Sequence, residues 1–322
     1  AKLIRGNFLW GINEMKEFMY LLERIKPEFE NLPTALLNPE RFIKKLRTEK
    51  STGVIIYQEN STKGAIFVFE GKAFFAKVED HKTLEELEAV DYIMRHIQQG
   101  FGKITYYPTD KVLILVLSAI YVGKPLYIDL DANTIIPNKF FTALQNREFS
   151  GVVLYRSAED IKFWIFKDGK PTNPPPVILP PYGFLSVYAL ETIEVKDYLE
   201  LWEEEARKKV IEFSEKLLSA IARTMVEKWG QNTTELMLLP LESYQGPLNI
   251  KFDKKTWNCK IESNEELYYL AKEIERVYAR LLRAIREREE RVAENVEIYT
   301  FNLLQEENIL WPPTEENIFR RD

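Results

Sequence analysis

The 322-residue chain holds one cysteine, Cys259, and two histidines, His81 and His96. A single thiol excludes an internal disulfide and every cysteine-rich metal site, and it suits a reducing compartment, so the chain reads as cytoplasmic. The histidines have no cysteine near them, and the usual zinc spacings are missing. Glutamine is scarce, 7 residues against 40 Glu and 44 Lys plus Arg, which is the habit of thermophile proteins. Long apolar runs are missing too. VLILVLSAIYV at 112–122 has 11 residues, whereas a bilayer span takes roughly 20; it reads as a buried core element, and no membrane insertion is expected.

Catalytic signatures are equally sparse. Neither G-x-S-x-G nor H-E-x-x-H occurs. Gly100-Phe101-Gly102-Lys103 lacks the spacing of a phosphate loop and follows a helical pattern, so it reads as a helix cap and a strand start. Asp129, Asp131 and Asn133 open like a calcium loop, but Thr134 stands where Gly is needed and Phe140 where the closing Glu belongs, which leaves a polar turn. The expectation is no catalytic residue, no metal and no cofactor, which points away from an enzyme.

What is present is pattern. Hydrophobic residues make up 45% of the chain, enough for a full core, and the length suits two domains. Residues 12–26 place Ile12, Met15, Phe18, Leu22 and Ile25 on one helical face. After Pro39, a helix carrying Phe42, Ile43 and Leu46 leads into a hairpin: STGVIIYQE, the turn NSTKG, and AIFVFEGKAFFAKV. The same order returns 98 residues on. Pro39, Phe42, Leu46, Gly53, Val54, Tyr57, Gly71 and Lys72 meet Pro137, Phe140, Leu144, Gly151, Val152, Tyr155, Gly169 and Lys170, which predicts an internal duplication. Gly53, Gly71, Gly151 and Gly169 are then structural turn positions. In the first copy, Thr83 and Glu86 read as a capping box for a helix over 83–99, followed by a strand over 101–108.

The second copy runs into PTNPPPVILPPYG, with six prolines in 171–181, and reads as a semi-rigid connector. Beyond it, heptad-like stripes predict helices over 195–230 and around 265–289, with a hairpin at LNIKFDKKTWNCKIE between them. The resulting division is 1–38 a helical lead-in, 39–128 a first unit, 129–170 a partial second unit, 171–194 a connector and 195–322 a helix-rich domain. The fold class expected is α+β.

Two surfaces are candidates for binding. Arg276, Arg280, Arg283 and Arg286 form one helical ridge among glutamates; this reads as a solvated salt-laced face or as a docking edge for an acidic partner. The tail residues Trp311, Pro312, Pro313 and Phe319 form a peptide-like segment that packs on its own domain or captures a partner. Residues 191–322 carry 20 basic and 28 acidic residues, so a broad nucleic-acid surface is not expected.

The helix, the S/T-G-x-x-x-apolar strand, the aromatic strand ending in acidic-Gly-Lys, and the later Gly102–Tyr106 strand together resemble the PATAN module, also catalogued as DUF4388. The likeness covers 39–108 and part of 137–174. It implies a protein-contact module of bacterial and archaeal signalling proteins, with no catalytic residues to carry over. A non-enzymatic interaction, regulatory or scaffold protein is the expected function, with a protein partner or self-association; the alternative is an enzyme with a dispersed carboxylate or Lys/Arg site.

Overall fold

The computed structural model describes residues 16–158, 160–172, 176, 179–190 and 195–307. The protein is α+β with antiparallel sheets. Its described residues divide into two compact units, one drawn from 16–33, 43–93 and 102–198, the other from 34–42, 94–101 and 199–307. No described helix is long and apolar enough to cross a membrane.

In chain order the first elements are α1 (described over 16–22), β1 (Phe29–Pro33), α2 (Pro39–Thr48), β2 (Gly53–Glu59), β3 (Thr62–Phe69), β4 (Lys72–Glu79), β5 (Thr83–Glu85), α3 (Glu86–Gln99) and β6 (Lys103–Pro108). Their six strands form one sheet in the order β1-β6-β2-β3-β4-β5. Next come α4 (Lys111–Val122), β7 (Lys124–Asp131), α5 (Pro137–Asn146), β8 (Gly151–Arg156), β9 (Ile161–Lys167), β10 (Lys170–Pro171) and β11 (Phe184–Ala189). These strands form a second sheet in the order β10-β9-β8-β11-β7. Taken strand for strand, the second sheet follows the order of the first without its outermost strand.

The register agrees as well. Gly53 faces Val68 and Ile56 faces Ala65 across β2–β3; Gly151 faces Phe166 and Leu154 faces Phe163 across β8–β9. Both exit turns put an acidic residue and then glycine in the left-handed region, Glu70 and Gly71 at φ 48° and 83°, Asp168 and Gly169 at 49° and 77°. Two successive positive φ values match the right-handed twist of a hairpin. Each acidic residue's N–H donates to a hydroxyl, Thr52 Oγ1 at 3.0 Å and Ser150 Oγ at 2.9 Å. Each glycine's N–H donates to a carbonyl, that of Ser51 or Phe149. Gly53 and Gly151 open β2 and β8 where the carbonyls of Tyr107 and Tyr188 fill the space of a Cβ.

α4 is apolar around its whole circumference because from Leu113 onward it is buried or half-buried, and only its first turn, with Val112, is exposed. Ile114, Val116, Leu117, Ala119 and Ile120 are all buried in one cluster with Phe67 and Phe74 of the first sheet and Val152, Leu154 and Tyr188 of the second. Asp110 starts the helix, its Oδ1 accepting from the N–H groups of Val112 and Leu113 at 2.9 and 2.7 Å. α1 enters the same cluster through Phe18, Leu21 and Leu22. The outer face of the second sheet is covered by Phe141 and Leu144 of α5, which meet Trp164, Phe166 and Val187.

Three local expectations change. Thr83 caps no helix: Thr83–Glu85 pairs with β4, and α3 begins at Glu86, because Leu84 and its neighbours meet Val78 in a ladder that local capping cannot match. The stretch read as a connector, 171–194, contains β11, which lies between β8 and β7. The divide at 128/129 falls inside β7, whose extended run ends only at Asp131.

In the second unit α6 (Tyr198–Trp229) buries its stripe of Leu199, Trp202, Val210, Phe213, Leu217 and Ile221. α7 (Gln231–Glu242) follows Gly230, and the hairpin β12–β13 (Asn249–Phe252, Cys259–Glu262) comes before α8 (Leu267–Arg288) and α9 (Glu290–Glu306). Side chains of α6 receive the hairpin's outward N–H groups: Cys259 donates to Ser219 Oγ at 2.7 Å and Ile261 to Glu215 Oε1 at 2.9 Å. This satisfies a sheet edge that water would otherwise have to reach. Burial pushes the Cys259 thiol up to about 12, so it behaves as a small apolar side chain. α8 and α9 are joined by a hydrogen bond between the Tyr278 and Thr300 hydroxyls at 2.8 Å.

Candidate partner-binding groove

α8 buries Leu267, Leu270, Ile274, Val277 and Leu281 on one side, and this turns Arg276, Arg280, Arg283 and Arg286 out to solvent on one ridge. The four are not equivalent. Arg276 Nη1 pairs with Glu273 at 2.6 Å, and Arg286 is held by Glu290 at 3.1 Å and Glu297 at 2.8 Å. Arg280 lies over the Tyr244 ring at 5.5 Å, close enough for a cation–π contact. Among the described residues no carboxylate pairs with Arg280 or Arg283.

Arg280 stands at the rim of an apolar notch of about 90 Å³ between α7 and α8, floored by Met237, Pro240, Leu241, Val277 and Leu281. Tyr244 forms one wall, and its hydroxyl donates to Glu273 Oε2 at 2.5 Å. That hydrogen bond holds the phenol above its ordinary range, with burial adding to the effect. Thus Glu273 fixes both Arg276 and Tyr244. Pro240 in the last turn of α7 has no N–H, which leaves the carbonyl four residues back without its helical donor.

α7 carries more leucine than its core face uses. Thr234, Leu238 and Leu241 are buried, whereas Leu236 and Leu239 are 72% and 55% exposed and are not among the residues that line the notch. The sequence reading found the arginines and passed over these leucines and Tyr244. The signal was available in TELMLLPLE, where apolar residues occupy both sides of a short helix.

The other candidates do not join this site. Trp311, Pro312, Pro313 and Phe319 lie outside the described residues. Gly53, Gly71, Gly151 and Gly169 serve the sheets. His81 is fully exposed near Asp80, and His96 sits half-buried with its ring 6.4 Å from that of Phe101. Among the described residues no group of three His, Cys, Asp or Glu could hold a metal ion.

A second polar cluster lies in the first unit. Glu17 of α1 is buried; its Oε2 accepts from Tyr188 at 2.5 Å and its Oε1 from Ser186 at 3.2 Å, while Arg156 stands 3.6 Å away and reaches Asp129 at 3.2 Å. Burial raises the Glu17 pKa against the hydrogen bond from Tyr188 and the charge of Arg156, which lower it. Both carboxylate oxygens are thereby engaged, and the cluster ties α1 to β8 and β11.

Compared with family models, with curated proteins and with solved structures, the chain matches none.

Proposed function

We propose that the protein is a non-enzymatic interaction protein whose docking face is the α7–α8 groove. Its occupant is an acidic amphipathic segment of a partner protein, which sets an apolar side chain in the notch and a carboxylate against Arg280 and Arg283. The reading is carried by one juxtaposition: an apolar notch floored by Met237, Pro240, Leu241, Val277 and Leu281 has at its rim Arg280, which no carboxylate pairs among the described residues. An apolar notch with a charge at its rim is a composition of helix- and peptide-binding grooves. The two ends of the ridge, Arg276 and Arg286, are already neutralised by glutamates, which leaves only the middle of the ridge uncompensated and argues against a phosphate-backbone surface. The matching strand orders support an internal duplication as the origin of the first unit, which, on its sequence resemblance to the PATAN module, would serve as scaffold.

A photo-crosslinking residue in place of Met237, which lines the notch, with the native lysate as the source of partners, tests the reading. The expected outcome is a discrete adduct whose crosslinked peptide carries Asp or Glu within one helical turn of a large apolar residue. That adduct should fall at least about tenfold when Arg280→Glu and Arg283→Glu are combined, since like charge at a desolvated rim costs over 1 kcal/mol. An adduct indifferent to both reversals, or none, overturns it.

A further inference from the structure

Without a partner, the α7–α8 notch presents its apolar floor and the charge of Arg280 to water. The chain itself carries a segment of the composition that would cover them. Past Glu307 it reads NILWPPTEENIFRRD, and these fifteen residues lie outside the described residues. Glu315 and Glu316 stand just before Ile318 and Phe319. Glu316 and Ile318 share a face of an extended chain, whereas Glu315 and Glu316 share a helical face with Phe319. In either conformation a carboxylate and a large apolar side chain point the same way. That pairing matches a floor of Val277 and Leu281 with Arg280 at its rim and Arg283 next along the ridge.

The segment is also tethered within reach. α9 runs antiparallel to α8, because Thr300 bonds to Tyr278 and Glu297 to Arg286. Glu307, seven residues past Thr300 and paired with Lys216 of α6, therefore stands about 10 Å beyond Tyr278 toward the start of α8. Arg280 lies two residues the other way, about 14 Å from Glu307 along the axis. Residues 308–315 reach about 26 Å when extended, enough for that distance and the roughly 10 Å width of a helix.

Resting on the reading of this groove as a docking face, we infer that residues 315–319 of the chain's own tail occupy the notch, so that a partner binds only by displacing them. Phe319 enters the notch, and Glu315 and Glu316 meet Arg280 and Arg283. Arg320 and Arg321 follow Phe319, away from the acidic pair, which fixes one direction of docking. A short tether raises the local concentration of the segment to about the millimolar range, so a contact too weak to hold a free peptide still fills the site.

The test uses the purified full chain, with no lysate present and a photo-crosslinking residue in place of Met237. Illumination is expected to give an adduct at monomer mass whose crosslinked peptide comes from 308–322. Glu315→Lys combined with Glu316→Lys should cut that adduct about fivefold, the scale of two reversed pairs at an exposed rim. Adding Arg280→Glu and Arg283→Glu to those changes should restore it. An adduct confined to other segments, one found only at dimer mass, none at all, or one that ignores both the reversal and the swap overturns the inference. Should the arginine variant lose its fold, the reversal in the tail, which changes no described residue, still decides. A partner adduct from the lysate without a tail adduct in the purified chain rejects the tail alone. A charge-dependent tail adduct with no lysate adduct supports the tail and rejects the partner.

Discussion

The two sheets of the first unit share strand order and register but reach their central strand by different routes. In the first, β4 is followed by β5 and the 14-residue helix α3 before the chain returns as β6. In the second, β10 is only two residues long, and a proline-rich stretch leads to β11 without an intervening helix among the described residues. What both keep is the turn, the hydroxyl that receives its N–H, and the pairing of the returning strand. The returning strand therefore depends on its two neighbours in the sheet far more than on the segment that delivers it.

The sharpest way to break the comparison is at the turns, where the effect is largest. A Cβ on Gly71 would stand 2.8 Å from the Arg47 Cα and 2.9 Å from the Leu46 carbonyl; one on Gly169 would stand 2.5 Å from the Gln145 carbonyl. All of these are backbone atoms, and both glycines have positive φ, so a β-branched residue meets strain and clash together. Gly71→Val and Gly169→Val are each expected to lose about 3 kcal/mol or more, read as a fall in the urea midpoint. A neutral Gly169→Val beside a damaging Gly71→Val would show that only the first turn is needed.

These turns were legible in the sequence because their determinants are local: acidic-Gly-Lys, a hydroxyl eighteen residues upstream, and alternating apolar strands. α4 was legible for the same reason, since an all-apolar helix can only be enclosed. β11 was not. FLSVYA is a good strand pattern, but six prolines just before it argued for a linker, and only long-range pairing with Gly151–Arg156 makes it a central strand. Thr83 shows the same override, a sound capping pattern defeated by pairing with β4. α9 drew no helix prediction because Ile298, Tyr299 and Phe301 are exposed and blur its stripe of Val292, Val296 and Leu303. In the groove, the arginines were visible as a ridge, but which of them are neutralised depends on Glu297 and Glu273, and on Tyr244 from another element.

A smaller effect separates the two routes directly. Tyr57 and Tyr155 occupy equivalent positions in β2 and β8, yet the Tyr57 hydroxyl donates to Glu59 two residues away at 2.7 Å, whereas that of Tyr155 donates to the Pro180 carbonyl at 2.8 Å. The second bond fastens the proline-rich stretch to the sheet. Tyr155→Phe should cost about 1 kcal/mol, the usual worth of a half-buried hydrogen bond, and should raise amide exchange in the 182–189 strand. Tyr57→Phe should cost less and leave exchange in 103–108 unchanged, because its partner is local and partly solvated.

The smallest expected effect is a slope and concerns charge. At the positions of Asn31, Gln58, Thr105 and Tyr107 in the first sheet, the second has Asp129, Arg156, Ser186 and Tyr188, and only there does a carboxylate, Glu17, lie buried among them. Burial raises the Glu17 pKa above 4.5, so the folded state holds its proton to a higher pH than the unfolded chain does. Stability from this group is therefore fully present below about 4.5 and is lost as the pH rises through the raised folded value. Glu17→Gln removes the titration while keeping a hydrogen-bonding side chain of the same shape. Measured by urea unfolding from pH 4.5 to pH 8, the stability of the native chain relative to the variant should fall with rising pH and then level off. A relative stability that grows with pH would mean that Arg156 outweighs burial, and that the second sheet was built around an ion pair where the first was built around neutral hydrogen bonds.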